Sequence, residues 1–94
     1  MDQMDRNWDQ LQGIDWSLEA KNLLRAELRR RGVTYAMLQE YLSNMGIEET
    51  EANLRNKISR GAFTTAFFLQ CLAAIGADRM SLEKLYEPTN TIEF

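Results

Sequence analysis

Apolar residues recur at intervals of three and four along this chain, and this spacing constrains the fold more than any other feature. Three pairs spaced four residues apart are Leu24 and Leu28, Leu38 and Leu42, and Leu54 and Ile58. Residues with this spacing lie on one face of an α-helix, whereas a half-buried strand alternates at every second residue. One proline and five glycines in 94 residues leave few positions that would break helices. The sequence predicts an all-α fold, a compact bundle of about five short helices in one domain.

Residues that favour helix ends divide the chain into these elements. Serine and threonine accept hydrogen bonds from the first backbone N–H groups of a helix. The expected helix starts, in chain order, are Ser17, Thr34, Thr50, Thr64 or Thr65, and Ser81. Gly32 and Gly61 are expected to end the first and third helices in the left-handed conformation, and Val33 to contact Leu28. The fourth helix, AFFLQCLAAIG, is apolar nearly all round and is expected to form the buried centre.

The chain contains no histidine, and this excludes most catalytic and metal-binding chemistry. Histidine is the commonest general base and the commonest transition-metal ligand. The single cysteine, Cys71, lies in an apolar segment and is expected to pack as a small hydrophobe. No glycine-rich phosphate loop is present. We therefore expect no enzymatic activity, no cofactor and no metal site.

The sequence also predicts where in the cell the protein is located. No apolar run approaches the roughly eighteen residues that a membrane-spanning helix needs. The first ten residues, MDQMDRNWDQ, are acidic and lack the hydrophobic centre of a secretion signal. We therefore expect a cytoplasmic protein without a membrane contact.

The net charge of −3 is distributed unevenly along the chain. Residues 1–20 carry a net charge of −4 and residues 62–94 carry −2, whereas residues 21–61 carry +3. A local cationic segment matters more for nucleic-acid binding than the total charge does. If the chain binds nucleic acid, residues 21–61 are therefore the expected place of contact.

The predicted third helix carries two asparagines among its cationic residues, in the stretch NLRNKISRG. Asparagine is a poor helix former because its amide competes for backbone groups, so its presence suggests that the amides are used. Leu54 and Ile58 define the buried side of this helix. The opposite side carries Ala52, Asn53 and Asn56, with Arg55 and Lys57 on its flanks.

An asparagine amide offers a donor and an acceptor together, which match the N6 and N7 groups of adenine in the major groove. We therefore predict that Ala52, Asn53 and Asn56 approach base edges, while Arg55 and Lys57 neutralise phosphates. The alternative is a solvated polar face without a ligand. Considered alone, this one helix face slightly favours that alternative.

Five short motifs follow one another between about Leu24 and Leu85. They are RRRGVT, TYAMLQEYL, NLRNKISRGAF, FLQCLAAIG and SLEKLY. In their order and spacing they resemble the lambda-repressor-like helix-turn-helix family of small bacterial and phage DNA-binding domains. More narrowly, ELRRRGVTYAMLQEYL followed by EETEANLRNKISRGAFTTAFFLQCL resembles an uncharacterised bacterial family of unknown function.

The wider resemblance implies a function as well as a fold. In that family the second helix of the motif, the third helix here, lies in the major groove, and the preceding helix crosses the DNA backbone. The resemblance implies that Thr34 and Tyr35 approach phosphate at the start of the second helix. It also implies that Lys57 and Arg60 add charge. The protein would then be a small transcriptional regulator that binds double-stranded DNA.

A single short helix reads few base pairs, so we expect a homodimer on a symmetric site. The predicted organisation is an acidic N-terminal arm (1–16), a helix-turn-helix domain (17–87) and a C-terminal tail (88–94). The candidates for a dimer or partner contact are Met4, Trp8 and Leu11, whose spacing places them on one helical face. Such a stripe more often packs on its own domain.

Two other functions are compatible with the same features. One is a protein–protein interaction module of the same fold, which does not bind DNA and uses the Trp8 stripe as its contact surface. The other is an autoinhibited DNA-binding protein, in which the acidic arm covers the cationic helix until a partner displaces it.

Overall fold

The computed structural model describes residues 8–79, which form helices joined by short turns. A four-residue 3₁₀ turn, Trp8–Leu11, precedes the α-helices. These are α1 (Trp16–Arg30), α2 (Tyr35–Asn44), α3 (Glu51–Arg60) and α4 (Thr65–Ala74). No β-strand occurs between residues 8 and 79, which confirms the predicted all-α fold. No helix in this range is long and apolar enough to cross a membrane. The fifth helix expected from Ser81 lies outside the described residues.

A side-chain oxygen caps the amino end of each of these α-helices. It accepts a hydrogen bond from the backbone N–H three residues later, at 3.0–3.1 Å. The capping residues are Asp15, Thr34, Thr50 and Thr64. The threonine caps confirm three predicted helix starts. The predicted cap at Ser17 is wrong, because Asp15 accepts the N–H of Leu18 and α1 therefore begins at Trp16.

The turn after α1 is the predicted Schellman motif. Gly32 has a φ of 68°, and its N–H donates to the carbonyl of Arg29 at 3.1 Å. The N–H of Val33 donates to the carbonyl of Leu28 at 2.9 Å, and the Val33 side chain packs against the core. These bonds satisfy the last carbonyls of α1 and make a tight turn. The start of α2 is thereby placed beside the last two turns of α1.

The four α-helices form a bundle in which α1 and α2 each pack against both α3 and α4. Within residues 8–79, α3 and α4 therefore lie diagonally across the bundle. The buried apolar side chains of this region are Leu24, Leu28, Leu38, Leu42, Leu54, Ile58, Phe67, Cys71 and Leu72. The expectation that α4 forms the buried centre holds for one side of the helix only. Phe67, Cys71 and Leu72 are buried there, whereas Leu69 is 58% exposed.

The carboxyl end of α3 approaches the first turn of α1 closely at a glycine. Gly61 is buried and caps α3 with a φ of 68°, as predicted. A β-carbon at this position would lie 2.4 Å from the carbonyl oxygen of Ser17. Nearby, Lys21 Nζ donates a hydrogen bond to the carbonyl oxygen of Ser59 at 3.2 Å. These contacts fix the end of α3 against α1.

We expect Gly61→Ala to lower the free energy of unfolding clearly more than Gly32→Ala does. Both glycines have a φ of 68°, at which a side chain costs about 1–2 kcal/mol. A β-carbon at Gly61 would also meet the backbone of α1, whereas one at Gly32 meets nothing within 4 Å. Urea denaturation of the two variants measures the difference. Equal losses would contradict the close approach of α3 to α1.

Cys71 is predicted to be unreactive in the folded protein. Burial raises the pKa of its thiol to about 12, and the Glu49 carboxylate adds to this increase, while Lys57 opposes it. The thiolate is the reactive form, so a thiol reagent at pH 8 should modify the folded protein at least about a hundredfold more slowly than the unfolded chain. A time course with and without urea checks this. Equal rates would contradict the burial of Cys71.

Candidate nucleic-acid interface

The outward side of α3 presents the three residues that were predicted to approach base edges. Ala52, Asn53 and Asn56 are all exposed, while Leu54 and Ile58 hold the opposite side of the helix in the core. Neither asparagine amide forms a side-chain hydrogen bond with the residues that the structure describes. Both amides are therefore available to an external donor and acceptor pair.

The amino end of α2 opens towards solvent beside α3. Thr34 is exposed, and its hydroxyl oxygen accepts the N–H of Met37 at 3.1 Å, which leaves the hydroxyl hydrogen available as a donor. The first N–H groups of a helix have no intrahelical partner and carry a partial positive charge. Thr34 and the half-buried Tyr35 therefore lie where the resemblance implied a phosphate contact.

A notch of about 330 Å³ lies between α1, the start of α2 and the first half of α3. Its charged lining consists of three arginines, Arg25, Arg29 and Arg55, and one glutamate, Glu51. Thr34 and Tyr35 line its α2 side. The positive end of α2 and an excess of positive side-chain charge therefore meet at one place, which favours an anionic ligand.

Arg55 is held in a defined position at this notch. Its guanidinium donates to the Glu51 carboxylate at 2.9 Å, and it lies over the Tyr35 ring, 5.5 Å from the ring centroid. The ion pair is exposed, so it contributes little to stability. Together, these two contacts limit the directions that the Arg55 side chain can take.

Lys57 is engaged within the domain. Its ammonium group pairs with the Glu49 carboxylate and lies 4.7 Å from the centroid of the Phe67 ring. The Glu49 side chain is only 10% exposed, so Lys57 compensates a carboxylate that is largely removed from water. Lys57 is one of the predicted phosphate contacts, but its ammonium group is already held by these contacts within the domain. Arg60 is exposed and makes no ion pair within residues 8–79.

The arginine run at the end of α1 separates into two environments. Arg30 and Arg31 both pair with Glu27, a carboxylate that is 4% exposed. The hydrogen bond and the charge of Glu27 raise the pKa of Arg30. Arg29 instead lines the notch. Only one residue of the run therefore belongs to the candidate site.

Sequence reasoning missed Arg25, which lines the notch beside Arg29. The two arginines are four residues apart on α1 and therefore share a helical face. That spacing is visible in the sequence, but nothing local indicates that the face borders the start of α2. The notch requires the tight turn at Gly32, which places the start of α2 beside the end of α1.

The N-terminal contact candidates are described in part. Trp8 is 66% exposed, Leu11 is half-buried, and Met4 lies outside the described residues. The helical stripe predicted for this arm is a 3₁₀ turn over Trp8–Leu11. Residues three apart in a 3₁₀ turn lie on the same side, so Trp8 and Leu11 still share a face. The exposure of Trp8 disfavours the expectation that this stripe packs on its own domain.

The described residues define a small all-α domain with an amide-bearing helix face beside a cationic notch. Residues 16–80 match the family described as Domain of unknown function (DUF6471), and this match spans more than half of the chain. The chain therefore belongs to that family. Comparisons with curated proteins and with solved structures found no significant match. The narrower of the two predicted resemblances, to a family of unknown function, agrees with this membership.

We expect Lys57→Ala to destabilise the fold although Lys57 lies on the exposed side of α3. The substitution leaves the largely buried Glu49 carboxylate without its partner, which costs about 1 kcal/mol or more. Arg60→Ala is the control, because an exposed and unpaired arginine should change stability by less than about 0.5 kcal/mol. Thermal or urea unfolding measures both. Equal stability of the two variants would show that Lys57 has no structural role.

Proposed function

We propose that this domain binds duplex DNA sequence-specifically and acts as a small transcriptional regulator of the lambda-repressor-like helix-turn-helix type. In this proposal α3 enters the major groove and α2 lies across the backbone. The observation that carries the proposal is the pair of unengaged amides on the outward face of α3, beside a notch lined by three arginines. Catalysis, metals and cofactors have no part in it.

The α3 face has the chemistry needed to read bases. The amides of Asn53 and Asn56 each match the donor and acceptor that adenine presents in the major groove. Ala52 is small and exposed, so it permits close approach and suits contact with a thymine methyl group. Leu54 and Ile58 anchor the opposite side of the helix, so the two amides are presented by a rigid element.

The notch supplies the complementary backbone contacts. A phosphate there would lie near Arg25, Arg29 and Arg55, and near the first N–H groups of α2. The hydroxyl groups of Thr34 and Tyr35 add possible donors. Such contacts fix the register of a protein on DNA, while base contacts determine which sequence is preferred.

Two of the three glutamates around the start of α3 are compensated locally. Glu51 pairs with Arg55, and Glu49 pairs with Lys57 and is largely buried. Their charges therefore repel a nearby phosphate less than unpaired carboxylates would. Glu48 is exposed and makes no ion pair in the described part of the chain.

Homodimer formation is part of the proposal. The ten residues of α3 contact only a few base pairs, and two copies on a symmetric site would give useful specificity. The exposed Trp8 and its neighbour Leu11 are candidates for that contact, together with Met4.

A second candidate function rests on the 66% exposure of Trp8. Large aromatic side chains that stay exposed in a small domain are typical anchors of protein–protein contacts. In this case the domain is an interaction module and does not bind DNA. Trp8→Ala should then abolish partner binding or dimer formation in the absence of DNA.

The DNA-binding proposal predicts different effects for two substitutions. Asn56→Ala should remove about 1–3 kcal/mol of discrimination between preferred and altered sites. Arg25→Ala should weaken binding to all sequences alike. It should also reduce the number of counterions released on binding by about one, which lowers the slope of log affinity against log salt concentration. Fluorescence anisotropy with labelled duplexes over a salt series measures both effects.

Asn44→Ala, at the far end of α2, is the control for loss of an exposed amide. Arg79→Ala removes the same charge as Arg25→Ala at a position that does not line the notch. If neither Asn56→Ala nor Arg25→Ala differs from its control, the assignment of α3 and the notch as a DNA-binding surface is wrong.

A further inference from the structure

The notch beside α2 is larger than a single phosphate contact requires. Its volume is about 330 Å³, and sites that bind small molecules typically measure about 300–1,000 Å³. Three helices build it, because side chains from α1, from the start of α2 and from the first half of α3 all line it. The notch therefore has room for a complete small molecule.

The charge of the lining fits a phosphate monoester better than a phosphodiester. The charged side chains are three arginines and one glutamate, which give a net charge of +2. A phosphate monoester carries a charge of about −1.5 to −2 at pH 7, whereas each phosphodiester of DNA carries one negative charge. A monoester therefore neutralises the lining, while one diester leaves about half of its charge uncompensated.

Two of the arginines are available to such a ligand. Arg25 and Arg29 lie one turn apart on α1, both are exposed, and neither forms an ion pair within residues 8–79. A guanidinium group donates paired hydrogen bonds that match the geometry of phosphate oxygens. Thr34 adds a hydroxyl donor from the α2 side of the notch. Donors from two helices therefore line the same space.

The notch also has an apolar and aromatic part. Leu28 and Val33 line it beside the arginines, and Leu28 is only 5% exposed. The Arg55 guanidinium lies over the Tyr35 ring, 5.5 Å from the ring centroid, so two flat groups border the space. Guanidinium groups and aromatic rings both stack on flat ring systems. This part of the lining suits the organic portion of a ligand that also carries a phosphate.

We propose that the notch binds a free small phosphate monoester that carries a flat ring, of the nucleoside monophosphate class. Its phosphate lies between Arg25 and Arg29, and its ring lies against the apolar and aromatic part of the lining. With the notch occupied, these two arginines are no longer available to a DNA backbone phosphate. The ligand therefore lowers the affinity for duplex DNA. This regulatory effect rests on the proposed DNA binding, whereas binding of the ligand does not.

Isothermal titration calorimetry of the full chain without DNA tests the site, with adenosine monophosphate as the probe. Cyclic adenosine monophosphate is the matched control, because it has the same base and sugar but carries one charge as a diester. It should bind at least about tenfold more weakly. Inorganic phosphate, which lacks the ring, should also bind at least about tenfold more weakly. Adenosine, which lacks the phosphate, should show no binding.

Substitutions in the protein provide a second test. Arg25→Ala and Arg29→Ala should each weaken binding of adenosine monophosphate at least about tenfold, because a hydrogen bond to a charged group is lost. Arg79→Ala removes the same charge at a position that does not line the notch, so it should leave the affinity nearly unchanged. Arg25 and Arg29 are both exposed, so their variants should fold, and far-UV circular dichroism checks this.

Three results would overturn the site. The first is equal affinity for adenosine monophosphate and its cyclic form. The second is an equal loss of affinity in Arg29→Ala and Arg79→Ala, which would reduce the effect to general charge attraction. The third is the absence of adenosine monophosphate binding. In that case, preference for a duplex with phosphorylated ends over the same duplex without them would assign the notch to DNA ends instead.

The failure of this inference can be distinguished from the failure of the DNA-binding proposal. Fluorescence anisotropy with a labelled duplex should show at least about a tenfold loss of affinity at saturating adenosine monophosphate, because phosphate contacts in the notch are lost. Ligand binding without any duplex binding would contradict the proposed function alone. Duplex binding that saturating adenosine monophosphate does not alter would overturn this inference alone.

Discussion

α3 is attached to the domain through two apolar side chains, Leu54 and Ile58, and the rest of the structure depends on this attachment. Both are fully buried between α1 and α2. The buried Gly61 fixes the carboxyl end of α3 against the backbone of α1, while Thr50 caps its amino end. With one side held this way, the remaining residues of α3 face outward as a rigid polar surface. The position of α3 therefore determines what surface the domain offers to a ligand.

The cationic residues differ in whether they form ion pairs within the domain. Arg30 and Arg31 share the buried Glu27, and Lys57 compensates the largely buried Glu49. These side chains support the fold. Arg25 and Arg29 form no ion pair in the described part of the chain, and both line the notch at the start of α2. Within residues 8–79, the unpaired arginines Arg25 and Arg29 therefore lie together at the notch, while Arg60 is exposed and unpaired at the end of α3.

Local signals in the sequence predicted most of the fold. The caps at Thr34 and Thr50 and the left-handed Gly61 depend on a few adjacent residues, so spacing alone identifies them. One error is local, because Asp15 and not Ser17 caps α1. The other errors concern contacts between distant segments. Whether Leu69 is buried depends on how many helices surround α4, and the engagement of Lys57 depends on Phe67 in another helix. The notch likewise combines side chains from α1, α2 and α3, so its arginines could not be grouped from the sequence.

The central claim is that the outward face of α3 reads duplex DNA. Selection from a random duplex pool at about 50 mM salt tests it most directly, because electrostatic binding is strongest at low salt. The full chain should enrich a motif that contains adenines, and a variant with Asn53→Ala and Asn56→Ala should lose that enrichment while remaining folded. Absence of any enriched sequence with the full chain would contradict the claim and leave the exposed Trp8 surface as the better candidate for function.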